Sequence, residues 1–112
     1  MKDHKWNILE EINLSKNLVL SIDVINMYQN LRVVIANNCY IEELNLSLPK
    51  VEYLDVSNNN LHVFPVLANM EVLTHLNLSN NKMSSIQGIN PDQYPIVETF
   101  YLAGNPLNFI SK

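Results

Sequence analysis

A repeat with a spacing of 20 to 24 residues runs along this chain of 112 residues. Five segments align without gaps: LEEINLSKNLV from Leu9, LRVVIANNCYI from Leu31, VEYLDVSNNNL from Val51, LTHLNLSNNKM from Leu73 and VETFYLAGNPL from Val97. A repeat of this size is typical of solenoids, in which each unit forms one coil and packs only on its neighbours. Because one coil cannot bury its own apolar face, the sequence predicts a stack of five coils.

Each segment also contains the alternation of a short strand with one buried face. If the first residue of a segment is position 0, apolar residues recur at positions 3 and 5, as Leu54 and Val56 do on either side of Asp55. Successive side chains of a strand point to opposite faces, so positions 3 and 5 face the core and positions 2, 4 and 6 face outward. The sequence therefore predicts five parallel strands, each followed by an irregular segment that returns the chain to the next coil.

The aligned segments resemble the leucine-rich repeat, L-x-x-L-x-L-x-x-N/C-x-L, over essentially the whole chain. The resemblance implies an α/β-type solenoid, a segment of a horseshoe with a five-strand parallel sheet on its concave face and loops or 3₁₀ turns on its convex side. It also implies a ladder of buried amides at position 8, where such a side chain can bond the backbone of adjacent coils. Position 8 is occupied by Asn17, Cys39, Asn59, Asn81 and Asn105. A thiol is a weaker hydrogen-bond donor than an amide, so we expect the hydrogen bonds of the ladder to be weakest at Cys39.

The charge and the apolar runs of the chain argue against two classes of partner, nucleic acid and the membrane interior. The net charge is −4 and Arg32 is the only arginine, so the chain lacks the basic surface that nucleic acid requires. No apolar run approaches the length of a membrane span, and we expect no membrane insertion in this segment. We predict one domain over residues 1–112, with coils starting near 9, 31, 51, 73 and 97 and a short N-terminal flank over residues 1–8.

The outward positions of the strands predict a binding face. They combine exposed apolar and aromatic side chains with amides and hydroxyls, which is the composition of surfaces that bind proteins. The predicted partner-binding residues are Val33, Ile35, Tyr53, Asp55, His75, Asn77 and Tyr101. We therefore predict a non-catalytic protein-binding module that uses its concave face. The alternative is that these are scattered exposed hydrophobes of the kind that any surface has.

Catalysis and metal binding are not expected. Asp55, His75 and either Ser57 or Ser79 fall on adjacent strands, which superficially suggests an acid, a base and a nucleophile. A triad also needs a pocket and an oxyanion hole, and an open sheet supplies neither. The three histidines occupy unrelated repeat positions without ligand spacing, so we predict no metal and no cofactor.

The compartment and the wider role stay open in the sequence. A charged fraction of only 16% and 18 Asn favour a secreted or cell-surface recognition protein of immune type, and N-x-S triplets begin at Asn13, Asn45 and Asn77. The first alternative is an intracellular scaffold or a regulator of a phosphatase or another enzyme, since YLAGNPL and SNNKMSSIQGI resemble repeats of such members of the family. The second is a structural segment of a larger ectodomain whose ligand binds elsewhere.

The ends of the stack raise a separate expectation. A solenoid needs terminal caps that shield its apolar cross-section. Trp6 and Ile8 are the candidates for covering the first coil, and Pro106 and Phe109 are the candidates for the last. We expect these covers to be incomplete, which predicts end-to-end or homo-oligomeric association through the uncapped ends.

Overall fold

The computed structural model describes residues 8–86, 94 and 96–107. Five parallel strands form one sheet in the order β1-β2-β4-β6-β7. They are β1 Glu11–Asn13, β2 Val33–Ile35, β4 Tyr53–Asp55, β6 His75–Asn77 and β7 Thr99–Tyr101. Each strand begins at position 2 of its repeat, so the predicted parallel sheet and solenoid are confirmed.

The register aligns equal repeat positions across the sheet. Leu54 lies opposite Val34 on one side and Leu76 on the other. Equal positions therefore form continuous columns of side chains, and the inward columns make the core. In the three middle coils these columns are at most 2% exposed: Leu31, Val34, Ala36, Val51, Leu54, Val56, Leu73, Leu76 and Leu78. The predicted alternation of buried and outward positions holds throughout this core.

The convex side contains more regular structure than the sequence predicts. The first coil has the expected 3₁₀ turn, a helix over Asp23–Met27. The second and third coils instead contribute β3 (Asn45–Leu46) and β5 (Val66–Leu67), which pair in parallel as a second, two-stranded sheet. Two residues are too few to show an alternation of polar and apolar positions, so no periodic signal marks these strands.

Side chains of the 3₁₀ helix cover the free edge of β3. The Asn26 amide donates to the Asn45 carbonyl oxygen at 2.9 Å and accepts from the Ser47 N–H at 2.8 Å. The Asp23 carboxylate accepts from the Asn45 N–H at 2.9 Å. These groups take the place of a third strand and satisfy an edge that would otherwise expose unpaired backbone.

A left-handed turn follows every strand of the large sheet. Position 7 has a positive φ in all five coils: Lys16 (64°), Asn38 (56°), Asn58 (57°), Asn80 (58°) and Gly104 (81°). Asparagine and glycine adopt this conformation more readily than other residues. The Asn-Asn pairs of the repeats therefore combine two functions, a left-handed turn at position 7 and the ladder at position 8. Of these two functions, the repeat pattern predicted only the ladder.

The end coils differ from the middle of the stack. Ile12 of the first coil is only half-buried, whereas Val34 in the same column of the next coil is 0% exposed. Ile8 is 73% exposed, so most of its side chain is not packed on the first coil, contrary to the expectation. Pro106 is also exposed, and Trp6 and Phe109, the remaining two candidate covers, lie outside the described residues. Association through the ends stays a prediction.

Candidate functional site

The outward face of the sheet is held in shape by the amide ladder beneath the turns. Asn59 Oδ1 accepts from the N–H groups of Cys39 and Ile41, both at 3.1 Å. Its Nδ2 donates to the carbonyl oxygens of Ala36 and Val56, both at 2.9 Å. In the following coils, Asn81 and Asn105 each make the same two donor bonds to carbonyl oxygens and accept from one N–H group, at position 10 of the preceding coil. The ladder implied by the repeat is confirmed, and it joins each coil to its predecessor.

Cys39 lies at the ladder position and supplies a donor in place of the asparagine Nδ2, but it has no counterpart of the asparagine Oδ1. Its Sγ lies 3.2 Å from the Leu14 carbonyl oxygen and 3.6 Å from that of Asn37, where an amide Nδ2 donates in other rungs. Sulfur is only a weak acceptor, so it cannot replace the amide oxygen that bonds N–H groups of the preceding coil. The side chain is buried, which agrees with its expected structural role.

Four predicted site residues form one outward group, which we name the central patch: Val33, Ile35, Tyr53 and His75. Val33 lies opposite Tyr53, and Tyr53 lies opposite His75 in the next strand. The Tyr53 and His75 rings stack with 5.7 Å between centroids and 28° between planes. Tyr53 is 40% exposed, while the other three side chains are half-buried. The central patch is therefore a continuous apolar and aromatic surface.

Tyr101 lies apart from the central patch. The register along position 4 runs from Ile35 through Asp55 and Asn77 to Tyr101. Two polar side chains thus separate Tyr101, which is 54% exposed, from the nearest apolar residue of its column. The structure places all seven predicted residues on one face, but it divides the large apolar ones into two groups.

Asp55 differs from its prediction. It was expected to face solvent as a binding residue, yet it is only 9% exposed. Its Oδ1 accepts from the Ser57 N–H at 2.9 Å, and its Oδ2 accepts from Asn37 Nδ2 at 3.1 Å. The short side chain folds back on its own turn and is covered by the neighbouring coil. Asp55 therefore supports the face and presents little of its carboxylate to a partner.

Two N-x-S triplets on the sheet, at Asn13 and Asn77, form the same turn as Asp55-Val56-Ser57. Asn13 Oδ1 accepts from the Ser15 N–H at 2.9 Å, and Asn77 Oδ1 accepts from the Ser79 N–H at 3.0 Å. These are Asx turns, in which a short side chain bonds the backbone two residues later. The recurring Asn or Asp two residues before Ser was the sequence signal for this turn. By contrast, Asn45 is exposed on the convex strand β3.

Thr74 connects His75 to the backbone of the preceding coil. The Thr74 hydroxyl lies 2.9 Å from the Glu52 carbonyl oxygen. The same Thr74 oxygen lies 2.9 Å from His75 Nδ1. A hydroxyl has one hydrogen, so both contacts are hydrogen bonds only in the tautomer in which Nδ1 donates. In that tautomer, Nε2 has the free lone pair and can accept a hydrogen bond.

Comparison with known proteins agrees with this geometry. Residues 49–91 match the family model described as leucine rich repeats, in two copies. These residues belong to the leucine-rich repeat family. The match covers the third and fourth coils, which contribute Tyr53, Asp55, His75 and Asn77 to the face. No curated protein matches the chain.

The edge at which the leucine-rich repeat strands begin is lined by ion pairs. Arg32 Nε lies 3.3 Å from a Glu52 carboxylate oxygen, and Arg32 NH1 lies 3.5 Å from one of Glu10. The hydrogen bond and charge of Glu52, followed by those of Glu10, raise the pKa of Arg32 above its ordinary value. These exposed pairs add little to stability. The sequence signal for these pairs is the alternation of charge at position 1 of three successive coils, Glu10, Arg32 and Glu52.

A metal-binding cluster, a membrane-spanning helix and a pocket are three other features that would indicate a functional site. Within residues 8–86, 94 and 96–107, no three His, Cys, Asp or Glu side chains are arranged to hold a metal ion. The same residues include no helix long and apolar enough to cross a membrane. An open cleft of about 200 Å³ is lined by His62, Val63, Phe64, Ser84 and Ser85, away from the concave face.

Proposed function

We propose that this protein is a non-catalytic protein-binding module that binds its partner through the concave face of its leucine-rich repeat sheet. Leucine-rich repeat domains generally mediate protein–protein interaction. The observation that carries the proposal is the central patch, where Tyr53 is stacked on His75 and lies beside Val33 in register. Large aromatic side chains at the centre of an apolar surface are the residues in which binding energy concentrates.

The rigidity of the central patch supports the same function. Tyr53 and His75 are carried by β4 and β6, which are hydrogen-bonded neighbours in the sheet. Stacking of the two rings and the bond from His75 Nδ1 to Thr74 restrict their rotamers before any partner arrives. A preorganised surface loses less conformational entropy on binding.

The hydrogen bonds of the candidate triad support a non-catalytic role. Asp55 bonds to the Ser57 N–H and to Asn37, while His75 Nδ1 bonds to Thr74. The acid that would orient a catalytic histidine therefore has other partners. This arrangement fits side chains that shape a surface better than side chains that relay a proton.

The proposal includes an extracellular or cell-surface setting with immune-type recognition. Its support is the low charged fraction of 16% and the exposed Asn45 of the N-x-S triplet on the convex side. We expect mass spectrometry of the protein from its natural source to find a glycan on Asn45. An unmodified Asn45 peptide in fully recovered native material would contradict this part of the proposal and favour the intracellular scaffold.

The binding face is tested by matched alanine variants. A partner captured with the whole chain and identified by mass spectrometry is titrated by calorimetry against each variant. Tyr53→Ala and Tyr101→Ala should each weaken binding by about 1–3 kcal/mol. His62→Ala, a change at the convex cleft, should leave the affinity unchanged. Affinity that ignores both tyrosines but depends on His62 would place the site on the convex side and overturn the proposal.

A further inference from the structure

The concave face and the adjoining edge of the sheet carry an excess of negative charge. The outward positions 2, 4 and 6 contain the carboxylates of Glu11 and Asp55 and no Lys or Arg. Position 1, at the edge where the strands begin, adds Glu10, Glu52 and Glu98. The only cation at these positions is Arg32. With Asp55 buried, a partner that lies across this face and edge meets four exposed carboxylates and one guanidinium.

The nearby cations offset only part of this excess. Arg32 is paired with Glu52 at 3.3 Å and with Glu10 at 3.5 Å, so its charge is already shared between two carboxylates. Lys50 lies before the first residue of its repeat, and its Nζ donates to Asn30 Oδ1 at 2.7 Å. Lys16 is in the left-handed turn that follows β1. Glu11, exposed at the first strand of column 2, has no basic neighbour in that column.

The outward side chains offer hydrogen-bond acceptors, so both the hydrogen bonding and the charge of the face favour a cationic donor. In the tautomer that satisfies both contacts of the Thr74 hydroxyl, the His75 ring offers Nε2 as an acceptor. Glu11 presents a second acceptor on the same column of outward side chains. A group that approaches the central patch is therefore recognised best if it is a donor, and a cationic donor gains charge attraction as well.

We propose that the partner segment bound by the concave face is a basic and apolar stretch of polypeptide. This inference rests on the proposed function and specifies its partner. An aliphatic or aromatic side chain of the segment packs on the Tyr53 ring, and a Lys or Arg reaches Glu11. Along column 2, Glu11 and Tyr53 are separated by two strand spacings, or about 10 Å. An extended segment covers that distance in about three residues, so the apolar and basic residues are about three positions apart.

Selection from a random peptide library tests this composition. Phage displaying peptides of about a dozen residues are selected on the immobilised full chain, and each clone is retested on Tyr53→Ala and on Tyr101→Ala. Clones that lose binding to Tyr53→Ala should carry a Lys or Arg about three residues from an aliphatic or aromatic residue. Clones that depend on Tyr53 but are neutral or acidic would overturn the inference and leave the proposed function intact. If no clone depends on Tyr53 or Tyr101, the proposed function fails with it.

A matched pair of charge variants tests the role of Glu11. The strongest Tyr53-dependent peptide is synthesised and titrated against Glu11→Gln and Glu43→Gln, which remove the same charge. Both glutamates are exposed, and Glu43 lies beside the convex strand β3. Glu11→Gln should weaken binding about three- to tenfold at low ionic strength, with a smaller loss at high salt, because screening reduces the attraction. Glu43→Gln should change little. Equal effects of the two variants would show that only net charge matters and would contradict the proposed contact.

Discussion

The side-chain amide of Asn59 donates a 2.9 Å hydrogen bond to the carbonyl oxygen of Ala36, which lies 23 residues earlier and one coil away. Beyond the three paired residues of each strand, backbone bonds between coils continue at alternate N–H groups, such as those of Asn38 and Tyr40. The ladder at position 8 satisfies N–H groups between them, here those of Cys39 and Ile41, and the face above depends on coils that are joined in this way.

Removal of one ladder rung should destabilise the whole solenoid. Asn59→Ala leaves the buried N–H groups of Cys39 and Ile41 without their acceptor. We expect a loss of about 1–3 kcal/mol for each group left unpaired, measured as the free energy of unfolding in urea. Asn60→Ala, at the adjacent half-buried position, is the control and should cost much less. Equal losses for the two variants would mean that the ladder bonds contribute no more than an ordinary turn residue.

Conversion of the cysteine rung to asparagine should be neutral or mildly stabilising. In the other rungs, the amide oxygen accepts from the N–H at position 10 of the preceding coil, as Asn81 does from Leu61. Asparagine at position 39 gains that acceptor, which corresponds to about 0.5–1.5 kcal/mol for one hydrogen bond. Thermal and urea unfolding of Cys39→Asn measure the change. A variant that does not fold would show that the slot at Cys39 is shaped for sulfur.

Asp55 should contribute to stability through its hydrogen bonds. Asp55→Ala removes the acceptor of the Ser57 N–H and the partner of Asn37, at a cost of about 1–3 kcal/mol. Asp55→Asn should recover most of this loss, because Asn77 makes the same turn in the next coil. Both values come from urea titrations. If the alanine variant is as stable as the parent, the side chain is solvated, as the sequence pattern alone predicted.

The left-handed turns predict a stabilising change at Lys16. Lysine has a φ of 64° at a position where three other coils have asparagine, a residue that tolerates this conformation better. Lys16→Asn should therefore raise the free energy of unfolding by about 0.5–1 kcal/mol. Gly104→Ala should lower it, since the added Cβ overlaps the Asn80 side-chain oxygen and φ is 81°. Lys16→Ala is the control for loss of charge. A gain as large in that variant would assign the effect to electrostatics.

The positions of the strands could be predicted from the sequence because one pattern recurs five times. Equal repeat positions pair in the sheet. The alignment of Leu54 with Leu76 in the repeat therefore predicts that these residues lie opposite each other, as they do in the structure. The burial of Asp55 could not be predicted in the same way. Alternation assigns a side chain to a face, but its exposure depends on the neighbouring coil, here the Asn37 side chain that covers it.

The convex side and the turns show where a repeat alignment stops being informative. Within the described residues, the bonds from Asn26 to the backbone of β3 occur in one coil, and the next two coils have Leu48 and Ala68 at the equivalent position. The left-handed turn could have been found, because Gly104 aligns with Asn38, Asn58 and Asn80. Glycine and asparagine share little except tolerance of positive φ, so their exchange at one position is a conformational signal.

The hydrogen bond between Thr74 and His75 should appear directly in the nuclear magnetic resonance spectrum of the histidine ring. Because the single Thr74 hydroxyl hydrogen is donated to Glu52, neutral His75 should carry its proton on Nδ1 and leave Nε2 unprotonated. Long-range ¹⁵N–¹H correlation at a pH where the ring is neutral distinguishes the two tautomers. Exposed His62 provides the reference for an imidazole on the convex side. Thr74→Val, which removes the hydroxyl at nearly constant volume, should abolish the preference of His75 for Nδ1. If His75 has the same tautomer distribution as His62 in both the parent and Thr74→Val, Nε2 is not a fixed acceptor. Recognition of a basic segment must then depend on Glu11 alone.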